Sequence, residues 1–220
     1  MKISYPENFD INRMNTLVFD WGGVITNISA MESVRALTGL GHRHLDDYFG
    51  PAAANDLFLR LELGKVTPEE VYDELNSSLD IKATRGAIRT AICAMMLDTP
   101  LVRLTLLQKL RKTFQLILLS NTNSIHTTFY NNKLKDQHGI NFPSLFHKVY
   151  YSHELGLRKP GKEIFEKMIA DARLEPEKTL FLDDTKTNIE TARSLSINCI
   201  LINEEYPMEW LQDAGRRGFD

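Results

Sequence analysis

The stretch Thr16-Leu17-Val18-Phe19-Asp20-Trp21-Gly22-Gly23-Val24 constrains this chain more than any other. An unbroken apolar run reads as a strand buried on both faces, as in parallel sheets covered by helices. A carboxylate at its carboxyl end, here Asp20, lies where open α/β sheets bind ligands. The glycines let the backbone turn sharply and approach a bound group closely. Such an aspartate suits a carboxylate nucleophile facing a phosphate. A strand-end Asp before Gly also serves as a plain turn residue, so the rest of the chain must decide.

After this strand the pattern changes. From about Ala30 to Met96 apolar residues recur at helical spacing, predicting helices over Met31–Leu40, Ala54–Leu63, Thr67 to about Leu79, and Thr84–Met96. Gly41 and Gly64 read as helix stops, and Thr67-Pro68-Glu69-Glu70 as a helix start with Thr at the N-cap. Alternation of helix and strand then resumes. Helices are expected at Leu101–Arg111, Gly161–Ala172 and Asn188–Leu195, and strands at Phe114–Leu119, Val149–Ser152, Thr179–Leu182 and Ile197–Ile202. The polar segment Asn131–Ser144 reads as a loop. The expected fold is α/β: a doubly wound, Rossmann-like parallel sheet with an inserted α-helical cap. The boundaries are core 1–28, cap 29–97 and core 98–220.

Three more segments end where a ligand is expected. Ser120-Asn121 offers a hydroxyl and successive backbone N–H groups to phosphate oxygens, though a strand-end turn would also use a serine. Lys159 precedes a helix start, where a cation is disfavoured unless an anion sits between. The other reading is a solvated turn lysine. Asp183 and Asp184 are adjacent carboxylates at a strand end, which resist ionising together unless a cation joins them. Mg²⁺ prefers such oxygen ligands, while Asp184 or Asn188 also reads as a cap for the next helix.

In this order the four segments resemble the haloacid dehalogenase superfamily, whose motifs are an Asp nucleophile, a Ser/Thr, a Lys and a carboxylate pair. The segments Phe19–Ile25, Ser120–Asn123 with His126–Phe129, Leu155–Pro160 and Phe181–Ile189 look similar to the bacterial α-D-glucose-1-phosphate phosphatase branch, as does the cap segment Leu61–Lys65. The resemblance implies hydrolysis of a small phosphate monoester such as α-D-glucose 1-phosphate through an aspartyl-phosphate on Asp20. It implies that Ser120 and the Asn121 backbone bind the phosphoryl group and that Lys159 neutralises charge. It implies a Mg²⁺ ion on Asp20, Asp184 and the Gly22 carbonyl, supported by Asp183 and Asn188.

One position departs from that pattern. Most phosphatases of the superfamily carry a second Asp two residues after the nucleophile, as acid for the leaving oxygen. Here it is Gly22. Positioned acid–base catalysis is worth about 10²–10⁴-fold. Three readings follow: a leaving group that needs little protonation, a substitute such as His126, or a relative that binds phosphate and turns over poorly. Dehalogenation is the enzymatic rival, but it needs no metal and gains nothing from paired acids.

The remaining bounds are broad. A net charge of −3 over 220 residues offers no electrostatic footprint for nucleic acid. No stretch approaches the ~20 apolar residues of a membrane span, and no leader pattern is visible. Cys93 and Cys199 lack metal-ligand spacing and suit a reducing compartment. A cytoplasmic enzyme with a small-molecule partner is expected.

Overall fold

The apolar runs become the strands of one sheet. A computed structural model places β1 at Thr16–Phe19, β2 at Gln115–Ser120, β3 at Lys148–Tyr151, β4 at Thr179–Asp183 and β5 at Asn198–Leu201. The structure describes residues 10–42, 56–77, 83–204 and 207–214. All strand pairs are parallel, in the order β3-β2-β1-β4-β5. The sheet alternates its side chains between two cores. Leu17, Phe19, Leu116, Leu118, Leu180 and Leu182 enter one, and Val18, Ile117, Leu119 and Phe181 the other. Fully burying one such side chain contributes about 1.5–3 kcal/mol, so neither face tolerates water.

The helices cover both faces. They are α1 Ala30–Gly39, α2 Leu57–Glu62, α3 Pro68–Ser77, α4 Arg85–Cys93, α5 Leu101–Leu110, α6 Ser124–His138, α7 Ser152–Leu155, α8 Lys162–Ala172, α9 Lys186–Ser194 and α10 Leu211–Ala214. The first core packs on α5 and α6 through Leu104, Leu107, Tyr130 and Leu134; the second packs on α8 and α9 through Ile164, Phe165, Met168 and Ile189. The chain winds outward from β1 to β3 and then returns to β4 on the other side of β1. That reversal makes the neighbourhood of β1 the switch point where such sheets bind ligands.

Helices α1–α4 share a third core of their own, with Leu37, Leu57, Leu61, Val71, Leu75, Ile88 and Ile92. It closes against Ile125 and Phe129 of α6. Thr67 and Glu70 form a reciprocal capping box at the start of α3. Its two backbone bonds measure 2.7 and 3.2 Å. Thr84 caps α4 through the Ala87 N–H. The expected start at Ala54 and end at Leu79 lie outside the described residues. Two paired linkers join this bundle to the sheet. Ile28 bridges Met96, while the Asn27 and Leu97 N–H groups bond the Asp98 and Asn27 carbonyls.

The segment Asn131–Ser144 is not a loop. Asn123 caps α6 through the Ile125 and His126 N–H groups, and the helix continues to His138, where Gly139 turns left-handed. Phe142–Leu145 then forms a short 3-10 helix. Tyr130 and Leu134 supply the buried stripe of α6; the polar residues that suggested a loop form its outer face. Helix α1 stops at Gly39, two residues before Gly41.

Candidate active site

The parallel register aligns the motif residues at the carboxyl end of the sheet. Phe19 pairs with Leu118 on β2 and Leu182 on β4, so the next residue, Asp20, stands beside Leu119 and Asp183. The Asp20 N–H bonds the Leu182 carbonyl at 2.9 Å. Ser120 ends β2 and is buried.

Lys159 is fully buried here, with 1% of its surface exposed, and is not a solvated turn lysine. Its Nζ lies 2.9 Å from Asp20 Oδ1 and 2.6 Å from Asp183 Oδ2. These two carboxylates are the anions that justify a cation ahead of a helix start. The Asn121 side chain locks the lysine backbone from both sides: Nδ2 donates to the Lys159 carbonyl at 2.8 Å, and Oδ1 accepts the Lys159 N–H at 2.9 Å.

Asp183 has both oxygens committed. Oδ1 accepts the Thr185 N–H and an Asn188 Nδ2 hydrogen, and Oδ2 accepts Lys159. The capping expectation for Asp184 or Asn188 is corrected here: Thr185 occupies the N-cap of α9, and it is the Asp183 carboxylate that takes the Thr185 N–H. Asp184 stands more open, its Oδ1 taking the Thr185 hydroxyl.

Burial pushes the Asp20 carboxyl up to about 7; Lys159 opposes the rise and Asp183 adds to it. Burial and Asp183 also raise Asp184. Burial alone would depress Lys159, but the Asp20 and Asp183 carboxylates outweigh it and hold the ammonium above its usual value. Ligand oxygens of Asp20, Asp183 and Asp184 all lie within 4.8 Å of one another. Hard carboxylate oxygens this close, with two of the acids uneasy when ionised, fit a divalent cation such as Mg²⁺.

His126 is drawn into other bonds. Its Nε2 donates to the Ile92 carbonyl at 3.2 Å, which sets the tautomer, so Nδ1 accepts from Asn123 at 3.1 Å. Burial lowers it to about 4. A neutral ring with both nitrogens occupied is a poor substitute acid.

Two residues of the first motif make contacts that the sequence does not reveal. Trp21 donates its backbone N–H to Asp20 Oδ1 at 2.7 Å and its indole N–H to Thr26 at 3.0 Å. The chain of hydroxyls continues from Thr26 to Thr99 at 2.7 Å and on to Tyr130 at 2.6 Å, tying both linkers to the residue beside Asp20. Phe142 stacks on the same indole at 4.9 Å. Gly23 is the second of these residues. Its φ is +74°, and a Cβ there would fall 1.9 Å from Asp184 Oδ2, so the glycine lies directly against that carboxylate. The tight Gly-Gly turn is visible in the sequence; its partner is not.

The helical bundle meets the same end of the sheet. Arg158 pairs with Glu62 of α2 at 3.1 Å, and Gly64 lies against the His153 carbonyl, which a Cβ would approach to 2.1 Å. Among the described residues no helix is long and apolar enough to cross a membrane.

The chain is similar to known proteins in sequence and in fold. A family described as haloacid dehalogenase-like hydrolase matches residues 14–195. The chain is 30% identical over 200 residues to a D-ribitol-5-phosphate phosphatase of Bacteroides thetaiotaomicron, covering 91% of this chain and 96% of that one. A HAD family enzyme from Bacteroides thetaiotaomicron, wild-type and in complex with magnesium and inorganic phosphate, superposes with a TM-score of 0.83 at 28% identity, covering 90% and 98% of the two chains. A predicted HAD-like family hydrolase from Porphyromonas gingivalis gives 0.83 at 30% identity, with coverage of 94% and 99%.

Proposed function

Because the chain belongs to the haloacid dehalogenase-like hydrolase family and is a magnesium-using phosphoric monoester hydrolase, we propose that it cleaves a small sugar phosphate through an aspartyl-phosphate on Asp20. One observation carries the residue assignment: Lys159 lies within 2.9 Å of Asp20 and 2.6 Å of Asp183, beside three carboxylates gathered within 4.8 Å. Phosphoryl transfer needs positioning and charge neutralisation above all, and this cluster supplies both.

Asp20 attacks phosphorus with a carboxylate oxygen. Trp21 and Lys159 both bind Oδ1, which fixes the orientation of the group. Ser120 and the Asn121 backbone hold the transferring oxygens. Lys159 offsets their charge, and Asn121 keeps it aimed. Asp20, Asp184 and the Gly22 carbonyl would hold Mg²⁺, which supplies further neutralisation of phosphoryl charge when bound. Asp183 and Asn188 support that site from behind, since Asp183 already bonds Lys159, Thr185 and Asn188. The bundle of α1–α4, residues 29–97 with its linkers, acts as a cap that shields the site from water. Two buried free thiols, Cys93 and Cys199, support a cytoplasmic setting.

The finer reading of substrate follows from Gly22. Without a side-chain acid there, the leaving oxygen must bear its own negative charge. An anomeric oxygen does so better than a primary alcohol, because the ring oxygen withdraws electron density. Anomeric sugar phosphates such as glucose 1-phosphate are therefore preferred. A second reading, a sugar-alcohol phosphate, is favoured by the relative named for D-ribitol 5-phosphate. The test is kcat/KM for glucose 1-phosphate, glucose 6-phosphate and ribitol 5-phosphate with Mg²⁺. The anomeric reading expects the first to lead; a lead for ribitol 5-phosphate overturns it in favour of the second.

A further inference from the structure

Gly22 has no side chain, yet its backbone does not require glycine: the left-handed position in this turn belongs to Gly23. What stands in the way is Ile28. A Cβ on Gly22 would lie 3.2 Å from Ile28 Cδ1 and 3.3 Å from Ile28 Cγ2. Both approaches are closer than the roughly 3.5–4.0 Å of good carbon contacts. A side chain at position 22 therefore needs Ile28 to give way by a few tenths of an ångström.

Ile28 is held there by its backbone. It bridges Met96, and its neighbours Asn27 and Ser29 are bonded to Asp98 and Met95 across the paired linkers. The residue is nonetheless 40% exposed, although it lies two residues from the wholly buried Thr26. Core packing therefore does not account for an isoleucine here. His126 offers no proton from elsewhere, because Ile92 and Asn123 occupy its ring nitrogens.

We propose that Ile28 determines leaving-group specificity jointly with Gly22, so that neither position alone resets it. The methyl groups of Ile28 crowd the place that a side-chain acid at position 22 would enter. The enzyme therefore selects esters whose oxygen departs unaided. In the step concerned, the bond from Asp20 to phosphorus forms as the bond from phosphorus to the leaving oxygen breaks. That oxygen keeps the electron pair and takes its proton from water. The proposal rests on the phosphatase reading above.

The experiment measures kcat/KM with Mg²⁺ over aryl and alkyl phosphates of graded leaving-group pKa. Four proteins are compared: wild type, Ile28→Ala, Gly22→Asp, and the double variant. Wild type and Ile28→Ala should both fall steeply as leaving-group pKa rises. Gly22→Asp alone should gain little, because Ile28 crowds the new carboxylate. The double variant should flatten the dependence and raise alkyl phosphate turnover by at least ~10-fold, toward the range of positioned acids. A shallow dependence in the wild type overturns the proposal, as does a single Gly22→Asp that performs as well as the double. A second readout needs no catalysis: Gly22→Ala should lower the melting temperature, and Ile28→Ala should relieve part of that loss in the double variant. Additive losses refute the steric contact. A wild type inactive on every ester would instead sink the phosphatase reading.

Discussion

Replacing Gly23 with alanine should damage the site through a carboxylate distant in sequence. Two costs are separable. The first is backbone, because Gly23 sits at a φ of +74°. An L-residue held in left-handed backbone loses about 1–2 kcal/mol. The second is contact. The new Cβ would be 1.9 Å from Asp184 Oδ2 and 2.5 Å from its Cγ. The carboxylate must then retreat by roughly 1.5 Å to reach ordinary contact. Misplacement of about 1 Å in a positioned group costs on the order of 10²-fold in rate. Disturbed metal support costs about 10–100-fold in affinity or activity. The assay is a Mg²⁺ titration of phosphate release beside a thermal melt. Gly23→Ala should lose ~2–8 °C in melting temperature, raise half-saturating Mg²⁺ about 10–100-fold and lower kcat about 10²-fold. Gly139→Ala is the control: Gly139 has a φ of +65° but nothing within 4 Å of its would-be Cβ. It should share the backbone part of the melting loss and keep the Mg²⁺ dependence. A Gly23→Ala enzyme with unchanged Mg²⁺ requirement and kcat would refute the reasoning, because Asp184 would then not depend on that glycine.

The other predictions concern what surrounds the site. Burial holds His126 near 4, against an ordinary value of 6.5. Its neutral form therefore contributes fully above the ordinary value and progressively less as pH falls toward the folded one. Between pH 7.5 and 5.0 this is worth about 2 kcal/mol, so urea unfolding should lose that much more in wild type than in His126→Gln; equal losses would mean that the ring is not buried neutral. Tyr130→Phe removes the end of the chain from Trp21 through Thr26 and Thr99. It should cost about 1–2 kcal/mol in unfolding free energy. An unchanged free energy would show that the chain adds no net stability.

Much of the site is readable in the sequence because parallel strands are buried runs and their ligand groups follow at the carboxyl ends. Asp20, Ser120 and Asp183 stand at strand ends for that reason, Lys159 instead precedes a helix start, and it is their order together that marks the site; the register then brings Asp20 beside Asp183. What escaped depends on contacts between distant segments. The left-handed glycine could not be told from its neighbour: Gly23 holds that conformation, and Gly22 does not. Nor does anything in the spacing reveal that Ile28, six residues on, folds back over Gly22. Helix α6 was hidden because its outer face is polar, and the burial of Ile125, Tyr130 and Leu134 marks its inner one only once the chain is folded. His126 looked like a spare acid because it follows the second motif closely; its Nε2–H instead donates to the Ile92 carbonyl, near the end of α4.

The proposed function turns on Asp20, with Mg²⁺, carrying the hydrolysis of a phosphate monoester. Phosphate release by wild type and Asp20→Asn, each with Mg²⁺ and with EDTA, tests it most directly. Release is expected from wild type with Mg²⁺ alone, with a loss on the order of 10³-fold or more in Asp20→Asn. Comparable release by Asp20→Asn, or wild-type release that survives EDTA unchanged, would contradict it.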